Sequence, residues 1–125
     1  MALRKLSLVR GDSQTYTLTL KGTDGTAYCL KNWALTFTMK PTYNLPDSAA
    51  SLQKVVTTFS DTTGGTTGVA VMPLLPADTA SLTPGEYDYD FQVTTNLSEV
   101  FTVLRGKLDL EFDVTRTAGT AGTAT

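Results

Sequence analysis

Glu86, Asp88 and Asp90 recur at every second position, and Asp109, Glu111 and Asp113 repeat that spacing later, so six of the twelve acidic residues form two matched sets. Paired carboxylates suggest glycoside hydrolysis, which needs two of them facing each other across a cleft, one with its pKa raised by burial. A spacing of two does not give that geometry on a strand, because it sends every carboxylate of a set to the same face. With Arg105 and Lys107 close by in the chain, the expectation is a solvated or partner-facing surface, and a metal site is the lesser option.

Other chemistry is thinly represented. Histidine is absent, which removes the commonest general base near neutral pH and the commonest transition-metal ligand. Serine and threonine are abundant, but without histidine they cannot form an ordinary triad, and nothing supports a mechanism built on a lone lysine. Cys29 is the single cysteine; no intrachain disulfide is possible, and a small buried thiol is expected. Arg10-Gly11-Asp12-Ser13 spells an adhesion tripeptide, yet a tripeptide occurs often by chance, and this one reads as a polar turn before a strand. Asp24-Gly25 lacks the spaced acids of a calcium loop and reads as a tight turn. The glycine-rich run 61–68 has no Lys-Ser or Lys-Thr ending and no helical pattern after it, so it reads as a hairpin tip and not a phosphate cradle. Tyr28 and Tyr43 are the loop aromatics that could serve a sugar-binding platform. No catalytic, cofactor-binding or metal residue is assigned, no cofactor is expected, and the chain is expected not to be an enzyme.

The elements that must position these groups follow from a period of two. In 86–93, Tyr87, Tyr89, Phe91 and Val93 share one phase and Glu86, Asp88, Asp90 and Gln92 the other, after the turn pair Pro84-Gly85. This is a strand with a dry face and a wet face, and three adjacent aromatics require a second packed layer. Tyr16, Leu18 and Leu20 alternate with threonines over 14–20, and Trp33, Leu35, Phe37 and Met39 share a phase over 33–40. Shorter strands are expected at 6–9, 53–60 and 68–74, and a helical turn near 76–82, where proline suits a first turn.

A hairpin centred on Leu97 leads into 99–114. It sets Val93 opposite Phe101 and Phe91 opposite Val103, whereas the later inward set Leu108, Leu110, Phe112 and Val114 has the opposite parity. One extra residue must be absorbed between Leu104 and Lys107, and Gly106 is the expected β-bulge. Beyond it Tyr87 meets Leu108 and Asp88 meets Lys107. Seven to eight antiparallel strands with almost no helix predict an all-β, immunoglobulin-like β-sandwich over 1–116, followed by a flexible Ala/Gly/Thr tail at 117–125; a closed barrel is the alternative.

At 125 residues the chain is one domain. Its net charge of -2, with scattered Lys and Arg, disfavours nucleic acid. No apolar run suits a signal peptide or a membrane span, so synthesis in the cytoplasm is expected.

Arg10-Gly11-Asp12-Ser13 before a threonine-rich strand, Asp24-Gly25, the strand from Trp33 to Lys40, Leu82-Thr83-Pro84-Gly85-Glu86-Tyr87 and Leu104-Arg105-Gly106-Lys107-Leu108 together resemble the immunoglobulin-like N-terminal domain of phage baseplate upper proteins, over about residues 6 to 116. The resemblance implies an attachment module held by surface contacts in a virion of a tailed phage, in the tail, baseplate or neck or as a head decoration. Its implied partners are other phage virion proteins, in multiple copies in a symmetric assembly. In the baseplate proteins the chain runs on into a linker and a receptor-binding platform, whereas this sequence stops at Thr125. The resemblance brings no functional residue with it. Segments 1–9 and 116–125 are expected to order only on assembly. A carbohydrate-binding or host-adhesion module is the other reading, which a cluster of Tyr28, Tyr43 and the 41–52 loop around a groove would favour.

Overall fold

Tyr87, Tyr89, Phe91 and Val93 all turn into one core, where they meet Leu35, Phe37 and Met39 on one side and Ala70, Met72 and Leu74 on the other. The computed structural model that shows this describes residues 2–22, 25, 26, 28, 30–57 and 68–114. Cys29, Asp24, Phe59, 61–67 and the tail from 115 onward lie outside the described residues. The strands are β1 (Ala2–Leu3), β2 (Leu6–Val9), β3 (Gln14–Thr19), β4 (Ala34–Lys40), β5 (Leu52–Val56), β6 (Val69–Leu74), β7 (Gly85–Thr94) and β8 (Val100–Glu111). A single helical turn α1 (Pro76–Thr79) precedes β7, and a 3₁₀ turn spans Asp47–Ala49.

These strands form an all-β sandwich. One sheet has the order β1-β8-β7-β4-β5, with β2 also on β8, and β3 and β6 make the second. β8, β7, β4 and β5 are thus set against β3 and β6, with one departure from the all-antiparallel expectation. β1 and β2 run parallel to β8, Ala2 beside Leu104 and Leu6 beside Leu108. Residues 2–9 therefore find their partner within the chain, which corrects the expectation that they order only on assembly. The corner before β7 is fixed by Tyr87, whose hydroxyl donates to the Thr83 carbonyl four residues upstream, the tyrosine corner of such sandwiches.

Between the sheets, Phe37 and Phe91 lie 4.8 Å apart by ring centroid, and Tyr16 meets Phe91 edge-on at 5.8 Å. Such offset and edge contacts add to the apolar area removed from water. Trp33 packs against this core only partly buried. On β5 Val55 faces outward, and Leu52, Lys54 and Val56 take the inner phase.

The register of the β7–β8 hairpin carries the main correction. Val93 pairs with Phe101, Tyr87 with Leu108 and Asp88 with Lys107, as the pattern predicts, but Phe91 pairs with Leu104 and Gln92 with Thr102. The extra residue is thus Val103, not Gly106. Gly106 stays in the ladder opposite Tyr89 for a different reason: a Cβ there would stand 2.2 Å from the Arg4 carbonyl oxygen. The N-terminal backbone, running beside β8, presses against it at that point, and only glycine leaves it room.

Phe112 and Val114 are also corrected. They are 73% and 99% exposed, because the ladder to β7 ends at Leu110 opposite Gly85 and that to β2 at Glu111. Beyond those pairs no second layer stands over them.

Candidate interaction surface

The two acidic sets do meet on neighbouring strands, Glu86 opposite Asp109 and Asp88 opposite Lys107, and cations and amides answer three of the six. Asp88 accepts from Lys107 Nζ at 2.5 Å and from the Tyr43 backbone N–H at 2.7 Å. The bond to Asp88 raises the Lys107 pKa. Asp109 pairs with Lys5 at 3.2 Å. Asp113 takes Arg10 Nη2 at 2.7 Å and Nε at 2.9 Å, with both side chains nearly buried. Asp90 stands apart: burial raises its pKa, opposed by Lys40 and reinforced by Asp47. No group of three potential metal ligands occurs among the described residues. The recess on this face, about 280 Å³, is walled by side chains such as Thr38, Lys40, Gln53 and Asp90.

Arg10 and Gly11 of the adhesion-like tripeptide are part of the framework. Arg10 also donates to the Leu82 carbonyl at 3.1 Å, and Gly11 N–H donates to the buried Thr79 hydroxyl at 2.9 Å. Its guanidinium is spent on joining β2, the end of β8 and the α1–β7 connection, and is not displayed in a loop.

A second, apolar opening lies at the opposite end of β7. Since β1 and β2 both lie on β8, no strand among the described residues covers the β3 side, and a cleft of about 960 Å³ enters between the sheets. Leu18, Leu20, Trp33, Val93 and Val103 line it, with Arg4, Lys21 and Glu99 at its rim. Around the mouth Leu97 is 74% exposed, Phe101 52% and Tyr28 44%. The hairpin carrying Leu97 is fixed by the buried Thr95. Its Oγ1 accepts from the Leu97 and Glu99 N–H groups at 3.2 Å, its N–H donates to the Glu99 carbonyl at 2.8 Å, and Ser98 takes a positive φ of 63°. The exposed leucine is therefore held in place by its own turn.

Tyr28 stacks on Trp33 at 5.3 Å with a 40° tilt, while Tyr43 borders the polar recess. The two loop tyrosines line different recesses, so the cluster expected of a sugar platform does not form. Sequence reasoning placed Phe101 opposite Val93 correctly, but expected it on the dry face, whereas it is exposed at the mouth of a cleft that the pattern did not reveal. Its signal was Leu97, Val100 and Phe101 crowded around a turn with few apolar neighbours to bury them.

Scanned against protein-family models and compared with curated proteins, the chain finds no match.

Proposed function

We propose that this chain is a non-enzymatic attachment subunit of a tailed-phage virion, in the tail, baseplate or neck or on the head, acting through protein–protein contacts in a symmetric assembly. The observation that carries the attachment role is the apolar mouth formed by Leu97, Phe101 and Tyr28 over a cleft of about 960 Å³. Contiguous exposed apolar surface rimmed by polar groups is a mark of interaction sites, and this one is preformed by the Thr95 turn. The paired carboxylates support the same reading, since charges already engaged within the chain are poorly placed for acid–base work. The virion setting rests on the resemblance of the sequence landmarks.

The test is a double substitution, Leu97→Ser with Phe101→Ser, followed by purification of assembled particles and cryo-electron microscopy of wild-type particles. The expected outcome is a folded chain that fails to enter particles, and wild-type density at symmetric positions with the cleft mouth against a neighbour. Absence of the wild-type chain from intact particles refutes the virion setting, and normal incorporation of the double variant refutes the cleft as the contact.

A further inference from the structure

The free edge of β3 carries a separate inference. Leu20 N–H donates to the Gly68 carbonyl at 2.7 Å, and alternate residues of an antiparallel strand point their peptide groups to opposite sides. Hence Gln14, Tyr16, Leu18 and Leu20 bond toward β6, and Thr15, Thr17 and Thr19 present their N–H and C=O groups to the other side. None of the described residues pairs with them there.

Edges of this kind are normally blunted by charge, proline or a bulge. On β6, Pro73 sits opposite Thr15, in the phase whose N–H would face outward, so that edge lacks a donor. β5 carries Lys54, and the β1–β2 edge is flanked by Arg4, Lys5 and Arg10. β3 has neither charge nor proline from Gln14 to Thr19.

We propose that β3 pairs antiparallel with β3 of a second copy about a two-fold axis through Thr17, joining two β3–β6 sheets into one of four strands. The strand is self-complementary in that register. Thr17 meets Thr17 of the other copy, Thr15 meets Thr19, and Tyr16 meets Leu18, so hydroxyl faces hydroxyl and apolar faces apolar. Charge at the ends agrees. Ser13 stands opposite Lys21 of the second copy and Asp12 opposite its Gly22, so each end of the paired segment carries one acid and one base, twice by symmetry. Both Asp12 and Lys21 are exposed, and neither is in an ion pair among the described residues of its own copy. This inference does not depend on the virion setting, and its failure leaves the cleft-mouth test untouched.

A contact made by one strand from each copy is at the small end of specific interfaces, so a dissociation constant of roughly 1–100 μM is expected. Sedimentation velocity of the full chain over a dilution series up to about 1 mM reads it. Thr17→Lys and Thr17→Glu put like charges opposite each other across the axis without touching the core, and each is expected to weaken the dimer by about fivefold or more. An equimolar mixture of the two variants is expected to regain a dimer at least as strong as wild type. A wild-type chain that stays monomeric throughout overturns the proposal. So do variants that dimerise as wild type does, or folded variants whose mixture recovers nothing.

Discussion

Replacing Gly106 with alanine tests whether the N-terminal strand is seated as the geometry requires. The added methyl would lie 2.2 Å from the Arg4 oxygen and 2.9 Å from its carbonyl carbon, both backbone atoms that no rotamer change can move. The segment must lift. With it go the bond from Arg4 N–H to the Arg105 carbonyl at 2.9 Å and the bond from the Tyr89 hydroxyl to the Arg4 carbonyl. Two net hydrogen bonds are worth about 2 kcal/mol, and a stranded hydroxyl on a 4% exposed tyrosine adds about 1–3 kcal/mol. The backbone entropy recovered on leaving glycine offsets about 0.5–1 kcal/mol. A net loss of about 2–4 kcal/mol follows, read as a lower urea midpoint at unchanged m-value. Since Tyr89→Phe acts through the same Arg4 carbonyl, the double variant should cost about 1 kcal/mol less than the two singles together. A loss below about 0.5 kcal/mol, or strict additivity, would refute this close approach of Arg4 to Gly106.

The core tyrosines differ in a testable way. Tyr87→Phe loses its bond to Thr83 and should cost about 1 kcal/mol, whereas Tyr16→Phe should be neutral or stabilising by up to about 1 kcal/mol, because the Tyr16 hydroxyl is buried without a partner; equilibrium denaturation of both decides it. Two aspartates should move stability in opposite senses with pH. Asp78 is pushed up by burial but held below the ordinary value overall by bonds from Lys54 and the Leu75 N–H. It therefore stabilises above the unfolded pKa of about 3.9 and ceases to do so as pH falls through its lower folded pKa. Asp90 has a raised pKa, so its penalty is absent below about pH 3.9 and complete above the folded value. Asp90→Asn should stabilise at pH 7 and lose that benefit in acid, while Asp78→Asn should destabilise at pH 7; a pH series of melting curves reads both.

The strands legible in the sequence were those whose inner phase carries several large apolar groups. Tyr87 to Val93 and Leu35 to Met39 had one satisfactory orientation, and the structure keeps it. Parity also announced that β8 must absorb one residue. It could not say where, because the decisive constraint on Gly106 comes from Arg4, about a hundred positions away. The outward turn of Phe112 and Val114 was hidden for a related reason: alternation reports which face a residue takes, not whether a second layer extends that far. The acidic strands were correctly seen as one polar face. The cleft was not, since it arises from the choice of β1 and β2 to lie on β8 and leave β3 uncovered.

That same choice sets how the domain bears load. Leu6 through Val9 run alongside Leu108 through Glu111 in the same direction, and bonds from Arg4 to Arg105 and from Arg10 to Glu111 extend the seam at both ends. A pull exerted through residue 2 and residue 114 would drag these strands past each other lengthwise. The slanted, evenly spaced bonds of a parallel pair would then share the force at once, where a hairpin pulled open from one end yields bond by bond. Forced rupture is governed by the unfolding barrier and not by equilibrium stability, so tensile strength here would reside in a short seam whose Leu8, Leu108 and Leu110 also belong to the core.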